Sequence, residues 1–240
     1  VHREITVKTG QKCTAIRRIL VPDSLIDEVQ SALIKKLEKT IIGNPDNKDV
    51  RMGALATKIQ VERVKENIEL LMKSQDVVYG DQENFTVCDA SKDKGAFISP
   101  VLFRNDKPFL NDDVHSIEAF GPVSTLIPYK GIEEAVNLVE MGKGSLVTSI
   151  VTNNNKLAKD FVVESANMNG RILVLNERCA KESTGHGSPM PLLTHGGPGR
   201  AGGGEEMGGV RGIKHYLQRT SIQGHPETIT RITEQFQVGG

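Results

Sequence analysis

Between residues 15 and 175 the chain switches repeatedly between two hydrophobic periods, and that alternation constrains its fold more than any other feature. Short β-branched or apolar runs at residues 15–21, 77–80, 95–103, 123–129, 146–152 and 171–175 predict strands. Between them, apolar residues fall at helical spacing: Leu25, Ile26, Val29, Ala32, Leu33 and Leu37, then Ile59, Val64, Ile68, Leu71 and Met72. Residues 132–141 and 156–167 predict two more helices. Asp23 and Ser24 offer an N-cap to the first helix, with Asp27 three residues after Ser24 as in a capping box. Residues 2–7 alternate and predict a further strand, and residues 43–47 (Gly-Asn-Pro-Asp-Asn) a loop. Strand–helix alternation of this kind predicts an α/β fold, layered, with a mostly parallel sheet and helices on both faces.

Past Asn176 the composition changes. Residues 185–209 are rich in Gly, Pro and His, residues 210–218 predict a helix, and residues 219–223 a short strand. The polar tail over 225–240 reads as a weak helix or a linker. The expected organisation is therefore a cysteine-bearing α/β domain over 1–176, its Gly-rich segment, helix and oligomerisation strand over 177–224, and a tail over 225–240. Gly197-Pro198-Gly199-Arg200-Ala201-Gly202 satisfies the spacing of a dinucleotide fingerprint. That motif needs a strand before it and a helix whose N–H groups face a pyrophosphate. Pro191 and Pro198 disturb such an approach and Glu205 and Glu206 repel phosphate, so these glycines are expected to let a loop pass close to a packed surface.

The 240 residues suffice for one large domain or two small ones. Thirty basic residues balance thirty acidic ones, which argues against a nucleic-acid partner. Three cysteines form no disulfide framework and point to a reducing cytoplasm. No apolar run approaches the roughly 20 residues that span a bilayer, so no membrane partner is expected.

Cys13 carries the chemistry. It lies in Gly10-Gln11-Lys12-Cys13-Thr14, a turn in which Gly10 allows a sharp bend and close approach of the following amides. A thiol there, with its own N–H nearby, has the parts for attack on a carbonyl and for holding the resulting oxyanion. Lys12 beside it is expected to favour the thiolate. Cys88 and Cys179 read as small core residues. Cys179, His186 and His195 match no zinc spacing, and no metal is expected. His115, His186 and His195 are available to a cysteine protease, but the sequence around Cys13 lacks a protease signature.

The Cys13 segment, with the strand and the Pro22-Asp23-Ser24 helix start after it, resembles the catalytic cysteine segment of the aldehyde dehydrogenase superfamily. Four further segments resemble that family in the same order: Gly43-Asn44-Pro45 with Met52-Gly53 before a helix bearing Gln60; Glu118-Ala119-Phe120-Gly121-Pro122-Val123; Leu175-Asn176; and His195-Gly196-Gly197 with Gly202, Gly204 and Glu206. Residues 10–18, 195–206 and 214–220 resemble most the subfamily of phenylacetate degradation, in which a CoA-linked semialdehyde is oxidised and a hydratase domain follows the dehydrogenase.

The resemblance implies that Cys13 forms a thiohemiacetal and then a thioester. It implies that Glu118 holds the nicotinamide ribose, that Phe120 packs beside the nicotinamide and that Gln60 makes a further ribose-side contact. NADP or NAD is the implied cofactor of the full-length parent, with no tight binding expected of this stretch alone. The family's deacylating glutamate, its oxyanion asparagine and most of its dinucleotide-binding half precede the cysteine, so an N-terminal half is expected to be missing here. The acid common before the signature glutamate is Ile117 in this sequence. A homo-oligomer is expected. The alternatives are a CoA-acylating dehydrogenase domain and a non-catalytic assembly fragment.

Overall fold

The alternation is realised as two sheets rich in parallel pairs, in a computed structural model that describes residues 1–179, 181–188, 196–203, 213–214 and 216–240. The chain divides into two compact units, Val1–Lys130 and Gly131–Gly240. The expected boundaries at residues 176 and 224 both fall inside the second.

The first unit contains α1 (His2–Thr6), β1 (Arg18–Pro22), α2 (Ile26–Leu37), α3 (Lys58–Leu71), β2 (Asp76–Tyr79), β3 (Val101–Arg104), α4 (Asp113–Ser116) and β4 (Val123–Tyr129). Its sheet order is β1-β4-β3-β2. β1 and β3 run parallel to β4, and β2 closes one edge antiparallel to β3. Strand alternation splits the core in two. Val101 and Phe103 join Val64, Ile68 and Leu71 of α3, whereas Leu102 joins Ile26, Leu33 and Leu37 of α2 with Ile19 and Val21 of β1. One helix thus covers each face, as a sheet with parallel central strands requires.

Helix starts follow local chemistry. Thr57 caps α3, its hydroxyl accepting from the Gln60 N–H at 3.3 Å. The capping box expected at Ser24 does not form: Asp23–Leu25 winds into a 3-10 turn that runs into α2, so Ser24 lies inside helical backbone rather than ahead of it. Asp27 and Glu28 at the start of α2 and Lys35 and Lys36 at its end complement the helix dipole.

The strand expected over residues 2–7 is α1 instead. Glu4, Ile5 and Thr6 are buried in succession, and Ile5 packs into the core with α2 and β1. A helical turn satisfies this segment's backbone locally, whereas a strand there needs a neighbour to pair with.

The second unit contains α5 (Ile132–Glu140), β5 (Ser145–Val151), α6 (Asn155–Ser165), β6 (Asn169–Leu175), β7 (Ser221–Gln223) and α7 (Pro226–Thr233). Its strands are parallel in the order β5-β6-β7. The polar tail is thus a formed helix over much of its length. Pro226 occupies the first turn of α7, His225 caps it, and Thr228 and Ile232 are buried. Inside the unit the Asn176 side-chain amide donates to the Thr228 hydroxyl at 2.9 Å, tying the end of β6 to α7.

The loop over 196–203 passes close to a packed surface, as expected, with Gly197 and Gly199 at the tight contacts and Gly202 in open space. A Cβ on Gly170 would overlap the Gly196 carbonyl, one on Gly144 the Pro198 carbonyl, and one on Gly199 the Lys143 carbonyl. Gly199–Ala201 forms a single 3-10 turn. His195, Gly204, Glu205, Glu206 and residues 210–212 and 215 of the helix expected over 210–218 lie outside the described residues; the described end of that stretch, 216–218, is turn, bend and coil rather than helix.

Candidate active site

Cys13 occupies a turn closed by the Ala15 N–H donating to the Lys12 carbonyl at 3.0 Å. The thiol is free and exposed, while Thr14 beside it is buried. Among the described residues the Cys13 N–H has no acceptor, which leaves it able to meet an oxyanion.

The approach to the turn is left-handed over three residues, Lys8, Thr9 and Gly10, at φ 51°, 53° and 71°. For a β-branched threonine this conformation costs on the order of 1–3 kcal/mol. It is held by contacts: Thr9 is buried, and its hydroxyl lies 3.0 Å from the Gly53 carbonyl and 3.3 Å from that of Ala54. Gly10 packs backbone to backbone, since a Cβ there would overlap the Gly121 carbonyl. Gln11 completes the anchoring. Its amide nitrogen donates to the Gln60 side-chain oxygen at 2.8 Å and its own oxygen accepts from the Ala56 N–H at 2.8 Å.

Lys12 does not serve the thiol as expected. Its ammonium lies 2.6 Å from the Glu4 carboxylate, and both side chains are largely buried. The proximity in sequence suggested a partner for Cys13, but a carboxylate taken out of water draws the ammonium more strongly.

Glu118 and Phe120 reach the same neighbourhood through Arg17, just ahead of β1, and through α3. Arg17 lies four residues past Cys13; its Nε is 3.7 Å from a Glu118 carboxylate oxygen and its Nη1 donates to the Ile117 carbonyl at 3.3 Å. Asn67 of α3 donates to the Glu118 carbonyl at 3.3 Å. Phe120 is exposed and left-handed at φ 51°, a conformation rare for a bulky residue. Gly121 follows it into the contact with Gly10, and a Cβ on Gly121 would press on Val64. The sequence-predicted residues Gln60, Glu118 and Phe120 are thereby tied to the Cys13 loop, through Gln11, Arg17 and Gly121.

Arg18 makes a second tie. Its Nη1 lies 2.9 Å from His115 Nδ1, while His115 Nε2 lies 2.8 Å from the Pro108 carbonyl. A guanidinium only donates and a carbonyl only accepts, so the ring is the neutral tautomer protonated on Nε2. Burial holds the His115 imidazole below its ordinary value of 6.5; the Pro108 bond opposes the shift and the charge of Arg18 adds to it.

The other two cysteines lie elsewhere. The Cys88 thiol accepts from the Asn47 amide at 3.6 Å, and the Cys179 thiol accepts from the Asn176 N–H at 3.4 Å. His186 bonds Ser149 through Nδ1 at 2.7 Å. Among the described residues no group of three or more His, Cys, Asp or Glu side chains is arranged to hold a metal ion.

A sequence model described as the aldehyde dehydrogenase family matches residues 1–222. The chain belongs to the aldehyde dehydrogenase family. It is 44% identical over 189 residues to Protein MaoC of Klebsiella aerogenes, covering 78% of this chain and 55% of that protein. It is 39% identical over 198 residues to the 3,4-dehydroadipyl-CoA semialdehyde dehydrogenase of Aromatoleum evansii, covering 82% of this chain and 38% of that one. The chain thus spans roughly half or less of these relatives. Among solved structures, Aldehyde Dehydrogenase C of Pseudomonas syringae, in complex with NAD+ and octanal, superposes with a TM-score of 0.67 at 23% identity over 87% of this chain and 39% of that one, which establishes the aldehyde-dehydrogenase-like fold.

Sequence reasoning missed Gln11 and Arg17 in this family member. Neither leaves a local sequence signal, since each acts through a partner remote in the chain.

Proposed function

We propose that this chain is the cysteine-bearing part of an NAD(P)-dependent aldehyde dehydrogenase that oxidises an aldehyde to the acid through a thioester on Cys13. The observation that carries the reading is the tethering of Gln60, Glu118 and Phe120 to the Cys13 loop. The Cys13 thiolate attacks the aldehyde carbonyl, and the oxyanion of the thiohemiacetal accepts from the Cys13 N–H. NAD(P), when bound, supplies the hydride acceptor. The residues fit its nicotinamide-ribose end: Glu118 is a half-exposed carboxylate able to accept from two hydroxyls, Phe120 offers an open ring face, and Gln60 adds an amide. After oxidation, water adds to the Cys13 thioester, the C–S bond breaks, and acid and thiol are released.

A CoA-linked semialdehyde, of the kind met in phenylacetate degradation, is the proposed substrate; the name of the Aromatoleum relative supports that class. Assembly is proposed as homo-oligomeric, with the short β7 as the sheet-edge strand that meets another copy. Three free thiols suit a reducing cytoplasm, and no helix among the described residues is long and apolar enough to cross a membrane. The adenosine and phosphates of the cofactor are assigned to a half of the enzyme that precedes this stretch.

Kinetics of a full-length enzyme test the roles. Cys13→Ala abolishes aldehyde oxidation, whereas Glu118→Gln slows hydride transfer and weakens use of the dinucleotide while Cys13 alkylation stays unchanged. An unaltered rate in Glu118→Gln contradicts the cofactor role. Calorimetric titration of this stretch alone with NAD and NADP is expected to detect no tight binding, because two or three contacts at one end do not offset the entropy of association, about 4 kcal/mol or more.

A further inference from the structure

We infer that Arg17 is a positioning residue for Glu118, and through it for the ribose of the dinucleotide; the inference rests on the role proposed for Glu118 above. The two carbonyls that bracket Glu118 in the chain are both held by side chains. Arg17 donates to the Ile117 carbonyl at 3.3 Å and Asn67 donates to the Glu118 carbonyl at 3.3 Å. The peptide units on either side of the Glu118 Cα are therefore fixed, one from the residue just ahead of β1 and one from the helix that carries Gln60. Ile117 itself packs against the core cluster of Val64, Ile68 and Val123, which removes the remaining freedom of this backbone.

The same guanidinium then reaches the side chain, its Nε standing 3.7 Å from Glu118 Oε1. A planar fork spans both acceptors at once, whereas a lysine ammonium is a single point of contact. The Arg17 side chain is 25% exposed and that of Glu118 is 41% exposed, so Arg17 works from inside and leaves the carboxylate's outer lone pairs open. A carboxylate accepts about four hydrogen bonds. One long ion-pair contact directs the group without filling it, and both ribose hydroxyls still find acceptors. Without Arg17 the carboxylate gains rotamer freedom that cofactor binding has to remove.

The test uses a full-length enzyme and steady-state kinetics with NAD and NADP for wild type, Arg17→Met, Arg17→Lys, Glu118→Gln and the Arg17→Met/Glu118→Gln pair. Arg17→Met is expected to raise the KM for the dinucleotide roughly tenfold, the scale of one charged hydrogen bond. The KM for the aldehyde and the alkylation rate of Cys13 are expected to stay within about twofold. Arg17→Lys recovers part of the loss. In the Glu118→Gln background, Arg17→Met adds less than about twofold, because the two residues act as one unit.

An unchanged dinucleotide KM in Arg17→Met, alongside a raised one in Glu118→Gln, overturns this inference and leaves the role of Glu118 standing. Full additivity of the two substitutions overturns it as well. A Glu118→Gln enzyme with normal dinucleotide KM overturns both. If Arg17→Met proves too unstable by thermal melting, Arg17→Lys decides alone: a raised dinucleotide KM with an unchanged melting temperature supports the assignment, and an unchanged KM refutes it.

Discussion

Gly10 and Gly121 meet backbone to backbone: the place where a Gly10 Cβ would stand is filled by the Gly121 carbonyl. Alanine at position 10 is opposed twice, by that overlap and by a φ of 71°. Gly10→Ala is expected to cost about 2–4 kcal/mol in urea denaturation. Gly121→Ala meets the Val64 side chain rather than backbone and is expected to cost less, about 1 kcal/mol. The reverse order would contradict the packing of the Cys13 loop on the Glu118–Pro122 segment.

Thiol chemistry separates the three cysteines. Cys13 is exposed, whereas Cys88 and Cys179 are half-buried and each engages a local N–H. Brief iodoacetamide treatment followed by peptide mapping is expected to find Cys13 labelled first. Cys13→Ala is expected to change stability by less than about 0.5 kcal/mol, since an exposed turn residue supports no core. Equal labelling at all three sites would dissolve the distinction.

The Asn176–Thr228 bond gives α7 a measurable job. Thr228→Val removes the acceptor and leaves the buried Asn176 amide without this partner, at a cost of about 1–3 kcal/mol. Thr228→Ser keeps the hydroxyl and is expected to recover most of that loss. Equal melting temperatures for the Val and Ser variants would show that the contact contributes nothing.

Most of the architecture was legible because it rests on periodicity. The alternation of Val101, Leu102 and Phe103 between two helices is the kind of pattern a strand writes into sequence. Where the reading failed, a distant partner had decided the outcome. Residues 2–7 alternate like a strand, yet Ile5 is claimed by α2 and Glu4 by Lys12. The same ion pair removes the lysine that sequence placed beside Cys13. Gln60, Glu118 and Phe120 were singled out by family resemblance alone, while Gln11 and Arg17, which tie Gln60 and the Glu118 segment to the loop, act across 49 and 100 residues and carry no local signature. The tail stayed open between helix and linker because α7 is short and mostly polar, and its two buried residues, Thr228 and Ile232, give too little period to decide.

Stability is expected to carry a signature of His115. Unfolded, its imidazole takes up a proton near pH 6.5; folded, burial holds its value lower. The unfolded chain therefore binds the proton first as pH falls. The contribution of His115 is fully present above pH 6.5 and is lost progressively below it, down through the folded value. His2, also lowered mainly by burial, changes stability with the same sign. Subtracting the pH profile of a His115→Gln variant isolates the former. A difference that stays flat from about pH 7.5 to 5 would refute it.

The Thr9 hydroxyl bonds carbonyls 44 and 45 residues further along, and the Arg17 contact to Ile117 spans 100. A nascent chain growing from its N-terminus therefore exposes Cys13 as an ordinary thiol long before the turn that carries it is fixed. The left-handed run at Lys8, Thr9 and Gly10 has nothing to hold it until the 53–54 and 117–122 segments have been synthesised and have docked. The geometry around this cysteine is thus a late product of folding, and a thiol probe placed there reports completion of the first unit rather than its beginning.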